Sequence, residues 1–269
     1  MGSLQQISFT TTFVLYFVSM ILYFWYAAAE RQAVGKAAGI AAGLGWAANT
    51  VALIARSVFT GMLPLSTGYE FLLAFAWGIV LLYLVFELRT DIKAAGGFVG
   101  FIAWALLAFI WILMPEQQNA VAPLMPALKS GWLTIHVLTA IVAYSAFALA
   151  CGLAALYLWR LHNNEGPAQE SSLDELIYKV TTLGFMMLSL TIVTGAVWAE
   201  KAWGSFWSWD PKETWSLVTW IVFGVYLHVR RNRGWQGRRA AILVIVGFLV
   251  VLFTFFGVNF LLPGMHGYA

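Results

Sequence analysis

The sequence predicts an all-α, polytopic integral membrane protein with about eight transmembrane helices and both termini on the extracytoplasmic side. Three observations predict it. Of 269 residues, 61% are hydrophobic and only 10% charged, more apolar surface than a soluble domain of this size can bury. The apolar residues fall in runs long enough to cross a bilayer. Lysine and arginine sort onto alternate loops, ten on one set and four on the other.

The expected spans lie near 9–29, 38–57, 69–88, 96–114, 131–160, 176–199, 212–230 and 239–262. The first begins with no preceding lysine or arginine and is long for a leader, so it is expected to be a membrane helix despite the alanines at 27–29. Arg31, Lys36, Arg89, Lys93, Arg160 and the cluster Arg230, Arg231, Arg233, Arg238 and Arg239 mark the cytoplasmic loops. Arg56, Lys129, Lys201 and Lys212 mark the opposite face, and an even number of spans returns the chain to its starting side. The polar loop at 161–175 holds His162, read as a solvated histidine, and ends in Ser172 and Glu175, a capping box expected to open the sixth span. With no repeat and no linker, residues 1–269 read as a single membrane domain.

Composition excludes other classes. There is no basic nucleic-acid arm. The single cysteine, Cys151, lies in an apolar run and reads as a packing residue. Without a CxxC pair the chain cannot itself be a dithiol reductant.

One stretch stands apart from generic membrane sequence. Residues 203–215 contain four of the 14 tryptophans, Trp203, Trp207, Trp209 and Trp215, between two expected spans. Indole favours the membrane interface, with an apolar face and one N–H donor that stays wet. Four of them around an Asp-Pro would also suit a flat, polarisable partner such as a porphyrin. Asp210, Pro211 and Glu213 match a helix start: N-cap carboxylate, proline at N1, acid at N3. Asp210 therefore reads as a cap, a ligand contact, or both. On the same side, Arg56 could simply snorkel to the interface, or could pair with Glu70 or with an anionic group such as a propionate.

The remaining histidines differ in depth. His136 lies near the outer end of the fifth span and His266 follows the last one. His228 lies 18 residues beyond Asp210, about 27 Å along a helix at 1.5 Å per residue. Metal–nitrogen bonds are about 2 Å long, so one metal cannot draw ligands from both ends. The sequence thus offers an outer pair, His136 and His266, which could ligate a heme iron from its two faces or lie near helix ends by coincidence. It also offers a solitary inner His228, which adjoins the arginine-rich loop and could simply reach water. The four-ligand and three-ligand spacings of zinc sites are not present in the sequence.

Trp203-Gly204, Trp207, Trp209-Asp210-Pro211-Lys212-Glu213 and Trp215 resemble the tryptophan-rich "WWD" signature of heme-handling membrane proteins. The Asp-Pro-Lys-Glu continuation is most similar to the CcsA (ResC) branch of system II cytochrome c biogenesis. Pro64-Leu65-Ser66 with Tyr69-Glu70, Tyr226-Leu227-His228 with Arg230, and Gly257-Val258-Asn259 with His266 and Tyr268 extend the resemblance over residues 56–269. The resemblance implies that residues 201–215 form an extracytoplasmic heme-binding segment, in a bacterial cytoplasmic or thylakoid membrane. It implies that His136 and His266 ligate heme b there, and that His228 belongs to the route by which heme arrives. The expected activity is attachment of heme to the CxxCH motif of apocytochrome c. The expected partners are a separate CcsB (ResB) membrane protein, apocytochrome c and a thioredoxin-like thiol reductant. No residue is expected to act as a general acid or base. Two other functions fit less of the sequence: a heme exporter that hands heme on without bond formation, and an electron-transfer subunit with b-type hemes.

Overall fold

The computed structural model describes residues 2–90, 92–117, 130–163 and 167–262. Among these residues every regular element is helical and no strand occurs. The helices are α1 (Gly2–Ala29), α2 (Gln32–Thr60), α3 (Gly68–Glu87), α4 (Gly96–Leu113), α5 (Gly131–His162), α6 (Pro167–Trp203), α7 (Pro211–Asn232) and α8 (Arg238–Leu252). Beyond α8 the chain continues through a π-helical turn, Phe253–Gly257, into a short α9 (Val258–Leu261). Seven of the described helical segments are long and apolar enough to cross a membrane, the segment Arg238–Leu261 among them.

The helix that falls short of that apolar standard is α7. At about 1.5 Å per residue its 22 residues reach roughly 33 Å, enough for the hydrocarbon core, so composition rather than length sets it apart. Lys212, Glu213, His228, Arg230 and Arg231 crowd its two ends, and the hydroxyls of Ser216 and Thr219 are bonded within the protein. The sixth helix also differs from expectation. It starts at Pro167, so Ser172 and Glu175 lie inside it rather than at its cap. Proline supplies the fixed φ and missing donor that suit a first helical turn.

The chain divides into two compact units, Met1–Pro123 and Leu124–Ala269. In the first, α1 packs along α2 and α4, and α3 packs on α2 and α4. Two hydrogen bonds link α2 and α3 at membrane depth: Asn49 donates its amide to the Leu73 carbonyl at 3.3 Å, and the Trp77 indole donates to Thr50 at 2.8 Å. The α2–α3 connection turns at Gly61, whose φ of +72° suits a residue without a Cβ. One carboxylate organises the chain that follows. Glu70 Oε2 accepts from the backbone of Ser66 and Thr67, while Oε1 accepts from Arg56 Nε at 2.8 Å.

In the second unit α5 and α6 form the longest contact, and α7 and α8 close against them. Its centre is a ring pair. Phe147 of α5 and Phe223 of α7 stack with centroids 3.7 Å apart and planes within 3°. Two glycines make room for them. A Cβ at Gly184 of α6 would stand 2.6 Å from Phe147, and one at Gly247 of α8 would stand 2.7 Å from Phe223. Small residues that admit close approach are how helices cohere where burial in lipid supplies little driving force.

At one end of this unit, Arg230 of α7 donates to the Asp174 carboxylate of α6 and lies over the Tyr178 ring. Asp174 also accepts from the Gly237 N–H at the start of α8, at 3.0 Å. This ion pair ties three helices together. Arg231, Arg233, Arg238 and Arg239 around it remain exposed.

Candidate functional site

The other end of the second unit carries the tryptophan segment. Trp203 is the last residue of α6, and the chain leaves the helix through Gly204 at φ +76°. Asp210 is the N-cap of α7: its Oδ1 accepts from Lys212 N at 2.9 Å, with Pro211 following as the first helical residue. Glu213 completes a capping box by accepting from Asp210 N at 3.2 Å. The same carboxylate accepts from Ser208 N at 2.8 Å. It therefore clamps the backbone on both sides of Trp209.

That clamp explains an outlier. Trp209 has φ +61°, a left-handed conformation that bulky residues rarely adopt and that costs about 1–3 kcal/mol. The Thr214 hydroxyl also donates to the Trp209 carbonyl, at 3.3 Å. The result is an indole turned outward and 69% exposed, next to Phe206 at 59%. Trp207 meets Trp209 edge-on, with centroids 5.8 Å apart. An exposed aromatic pair held on a strained, over-determined loop is a surface shaped for contact rather than for the protein's own core.

Trp215 sits in the second turn of α7 and faces Phe253, with centroids 4.3 Å apart. Lys212 donates to Asn259 Oδ1 at 2.8 Å, and Thr219 and Thr254 share a hydrogen bond of 2.9 Å. These contacts fasten the tryptophan end of α7 to the π-helical turn that ends α8. Such turns are common where a helix is redirected at a functional site. His266 lies beyond them, outside the described residues.

His136 stands on α5, across from α6. Its Nδ1 lies 2.8 Å from the backbone carbonyl of Thr191. A carbonyl can only accept, so Nδ1 is the donor in this contact, and in the neutral form of the ring the lone pair then lies on Nε2. The ring stacks on Trp198, centroids 6.2 Å apart and planes within 15°. Trp198 in turn meets Trp203 edge-on at 4.7 Å. A contact chain therefore runs from His136 through Trp198 to the first tryptophan of the segment. Sequence reading missed Trp198, Thr191 and Gly195. The nearest signal was a fifth tryptophan five residues before Trp203, which reads as an ordinary membrane-interface residue.

The other candidates lie elsewhere. His228 is exposed near the far end of α7, with Asn232 Nδ2 3.0 Å from its Nδ1. Arg56 belongs to the first unit, where its side chain is 2% exposed and bonded to Glu70, the first of the two pairings its sequence allowed. Among the described residues, no three His, Cys, Asp or Glu side chains converge as a metal site. The donor chemistry at the tryptophan end nonetheless fits heme: an imidazole whose Nδ1 is taken up by a carbonyl, beside an apolar, polarisable indole.

Fold and site together define a polytopic helical membrane protein with an indole-rich loop between two helices of its second unit. The family described as Cytochrome C assembly protein matches residues 65–266. The chain is 35% identical to the cytochrome c biogenesis protein CcsA of Gloeothece citriformis, over 99% of this chain and 98% of that one. It is 38% identical to CcsA of Porphyra purpurea, over 82% of this chain and 83% of the relative. It is 40% identical to CcsA of Chlamydomonas reinhardtii, over 80% of this chain and 64% of the relative's length. The chain belongs to the CcsA family of cytochrome c assembly proteins, with a role in cytochrome c maturation. Its fold is similar to that of a solved Cytochrome c Heme Lyase CcmF, with a TM-score of 0.70 at 15% identity, over 98% of this chain and 47% of that one.

Proposed function

We propose that the chain is the heme-handling subunit of the system II cytochrome c synthase, holding heme b at the extracytoplasmic face for attachment to apocytochrome c. The observation that carries this reading is the 2.8 Å contact between His136 Nδ1 and the Thr191 carbonyl. An imidazole whose Nδ1–H is held by a carbonyl presents Nε2 as a ligand, the arrangement that metal-binding histidines commonly use. His136 and His266 would hold the heme iron, and Trp203, Trp207, Trp209 and Trp215 would line the macrocycle. Asp210 caps α7 and so fixes where the loop meets the helix.

The chain's contribution to bond formation is placement. Each thioether forms when a thiol of the acceptor's CxxCH motif adds across a heme vinyl group, sulfur to one carbon and the proton to the other. Holding the macrocycle still turns that encounter into an intramolecular one. The acceptor's own histidine can then take over one axial position. The thiols must arrive reduced, which assigns that step to a thioredoxin-like partner. His228, exposed at the arginine-rich end, fits a route shared with a separate CcsB protein by which heme reaches the outer face.

His136→Gly and His266→Gly test the reading in chain purified from cells making heme. Each single variant should lose most of the bound Soret absorbance and recover part of it with added imidazole. Unchanged heme content in both single variants and in the double variant overturns the assignment. Production of a thioether-linked CxxCH acceptor, with the CcsB protein present, separates a synthase subunit from an exporter.

A further inference from the structure

His136 is held by residues of a neighbouring helix in a way its own helix cannot supply. We infer that Gly195 and Trp198 of α6 are positioning residues that set the tautomer and ring plane of His136, through the Thr191 carbonyl, and thereby set its strength as a heme ligand. The inference rests on the reading of His136 as that ligand.

Four observations carry it. The Thr191 carbonyl accepts the Nδ1 proton of His136 across 2.8 Å. Gly195 lies four residues further along the same helix, directly beneath the ring. A Cβ there would stand 2.7 Å from both Cε1 and Nδ1 of His136, so any side chain pushes the imidazole off the carbonyl. Trp198, only 2% exposed, lies nearly parallel to the ring and limits its rotation. The Thr191 hydroxyl donates to Thr139 Oγ1 at 3.1 Å, and Thr139 lies three residues from His136 on α5. That bond holds the register of the two helices beside the histidine.

Local propensity argues against glycine here. In a helix interior it is less favourable than alanine by about 1 kcal/mol. At residue 195 the close approach of an aromatic ring to backbone gives the physical reason for it. The Thr191 carbonyl does two jobs through this contact. It selects the tautomer that leaves the lone pair on Nε2, and it raises the basicity of that nitrogen, since a bonded N–H gives up electron density to the ring. Removing such an outer contact typically weakens metal affinity by about 10- to 100-fold. Trp198 adds a connection to the indole segment, because it also meets Trp203. A shift of the tryptophan loop would reach the imidazole through one side chain.

The test uses the full chain with 15N-labelled histidine in lipid nanodiscs. Only four histidines are present, so His136 is assigned by its loss in His136→Gly. Wild-type protein should show a protonated Nδ1 and a bare Nε2 at His136. Gly195→Ala should alter that pattern and lower heme retention about 10- to 100-fold, with imidazole restoring the low-spin spectrum. The same Gly195→Ala change in a His136→Gly background should have no further effect on heme retention in added imidazole. A merely structural glycine would give equal losses in both backgrounds, which overturns the inference. Trp198→Phe should keep the wild-type tautomer and spectrum, and Trp198→Leu should broaden both. A wild-type protein protonated at Nε2, or an unaltered His136 signal in Gly195→Ala, overturns the inference by itself. Unchanged heme binding in His136→Gly, with the Nδ1–H signal intact in wild type, overturns the ligand reading and the inference with it.

Discussion

At the scale of single residues, charge inside the membrane domain is spent on architecture. Arg56 and Glu70 are 2% and 4% exposed, and the pair also orders the backbone at Ser66 and Thr67. Removing Arg56 leaves the Glu70 carboxylate buried without its counter-charge, a change that typically costs about 3–5 kcal/mol. Arg56→Ala should therefore sharply lower the thermal midpoint in detergent, while Arg56→Met combined with Glu70→Gln, whose amide oxygen can still accept from the Ser66 and Thr67 backbone, should recover part of it. A small shift in Arg56→Ala would mean that the pair is dispensable for folding. Asp210 shows the same economy. Its sequence context allowed a cap or a ligand contact, and the cap is present, with Glu213 bracketing Trp209. The capping box joins residues three apart, which is why it could be read in advance, whereas the Glu213 contact with Ser208 could not.

At the scale of elements, the second unit depends on ring-into-notch packing. Phe147 and Phe223 each occupy a gap left by a glycine on another helix. Gly184→Ala adds a methyl group where none fits, and overpacking of this kind costs about 1–3 kcal/mol. The loss should appear in thermal unfolding and be reversed by Phe147→Leu in the same chain. An unperturbed midpoint would show that the rings move aside freely. The π-helical turn works at this scale too. It places Phe253 against Trp215 and Asn259 against Lys212, so the end of α8 is registered on the tryptophan segment. None of this could be read in the sequence, where Phe253–Gly257 continues an apolar run without a break.

At the scale of the whole molecule, the arginine distribution sets orientation. Arg231, Arg233, Arg238 and Arg239 are exposed at one end of the second unit, and the indole loop occupies the other. By the bias of cytoplasmic loops toward lysine and arginine, we propose that the indole loop faces outward. In a Cys151→Ala background, Ser205→Cys should react with a membrane-impermeant maleimide in intact spheroplasts, and Arg233→Cys only after permeabilisation. The reverse pattern would turn the protein over and with it the direction of heme presentation.

Composition, run length and charge asymmetry determined the fold class on their own, because transfer into lipid depends on residue type summed along a helix and not on neighbours. The capping box at Asp210 was equally legible, since its partners lie within one helical turn. What the tertiary structure decided is the setting of His136. Its carbonyl partner lies 55 residues away, its glycine notch and stacked indole are on that same neighbouring helix, and the helix–helix register that brings them together is a property of packing. Sequence spacing carries the face of one helix; it carries no information on which turn of another helix that face will meet.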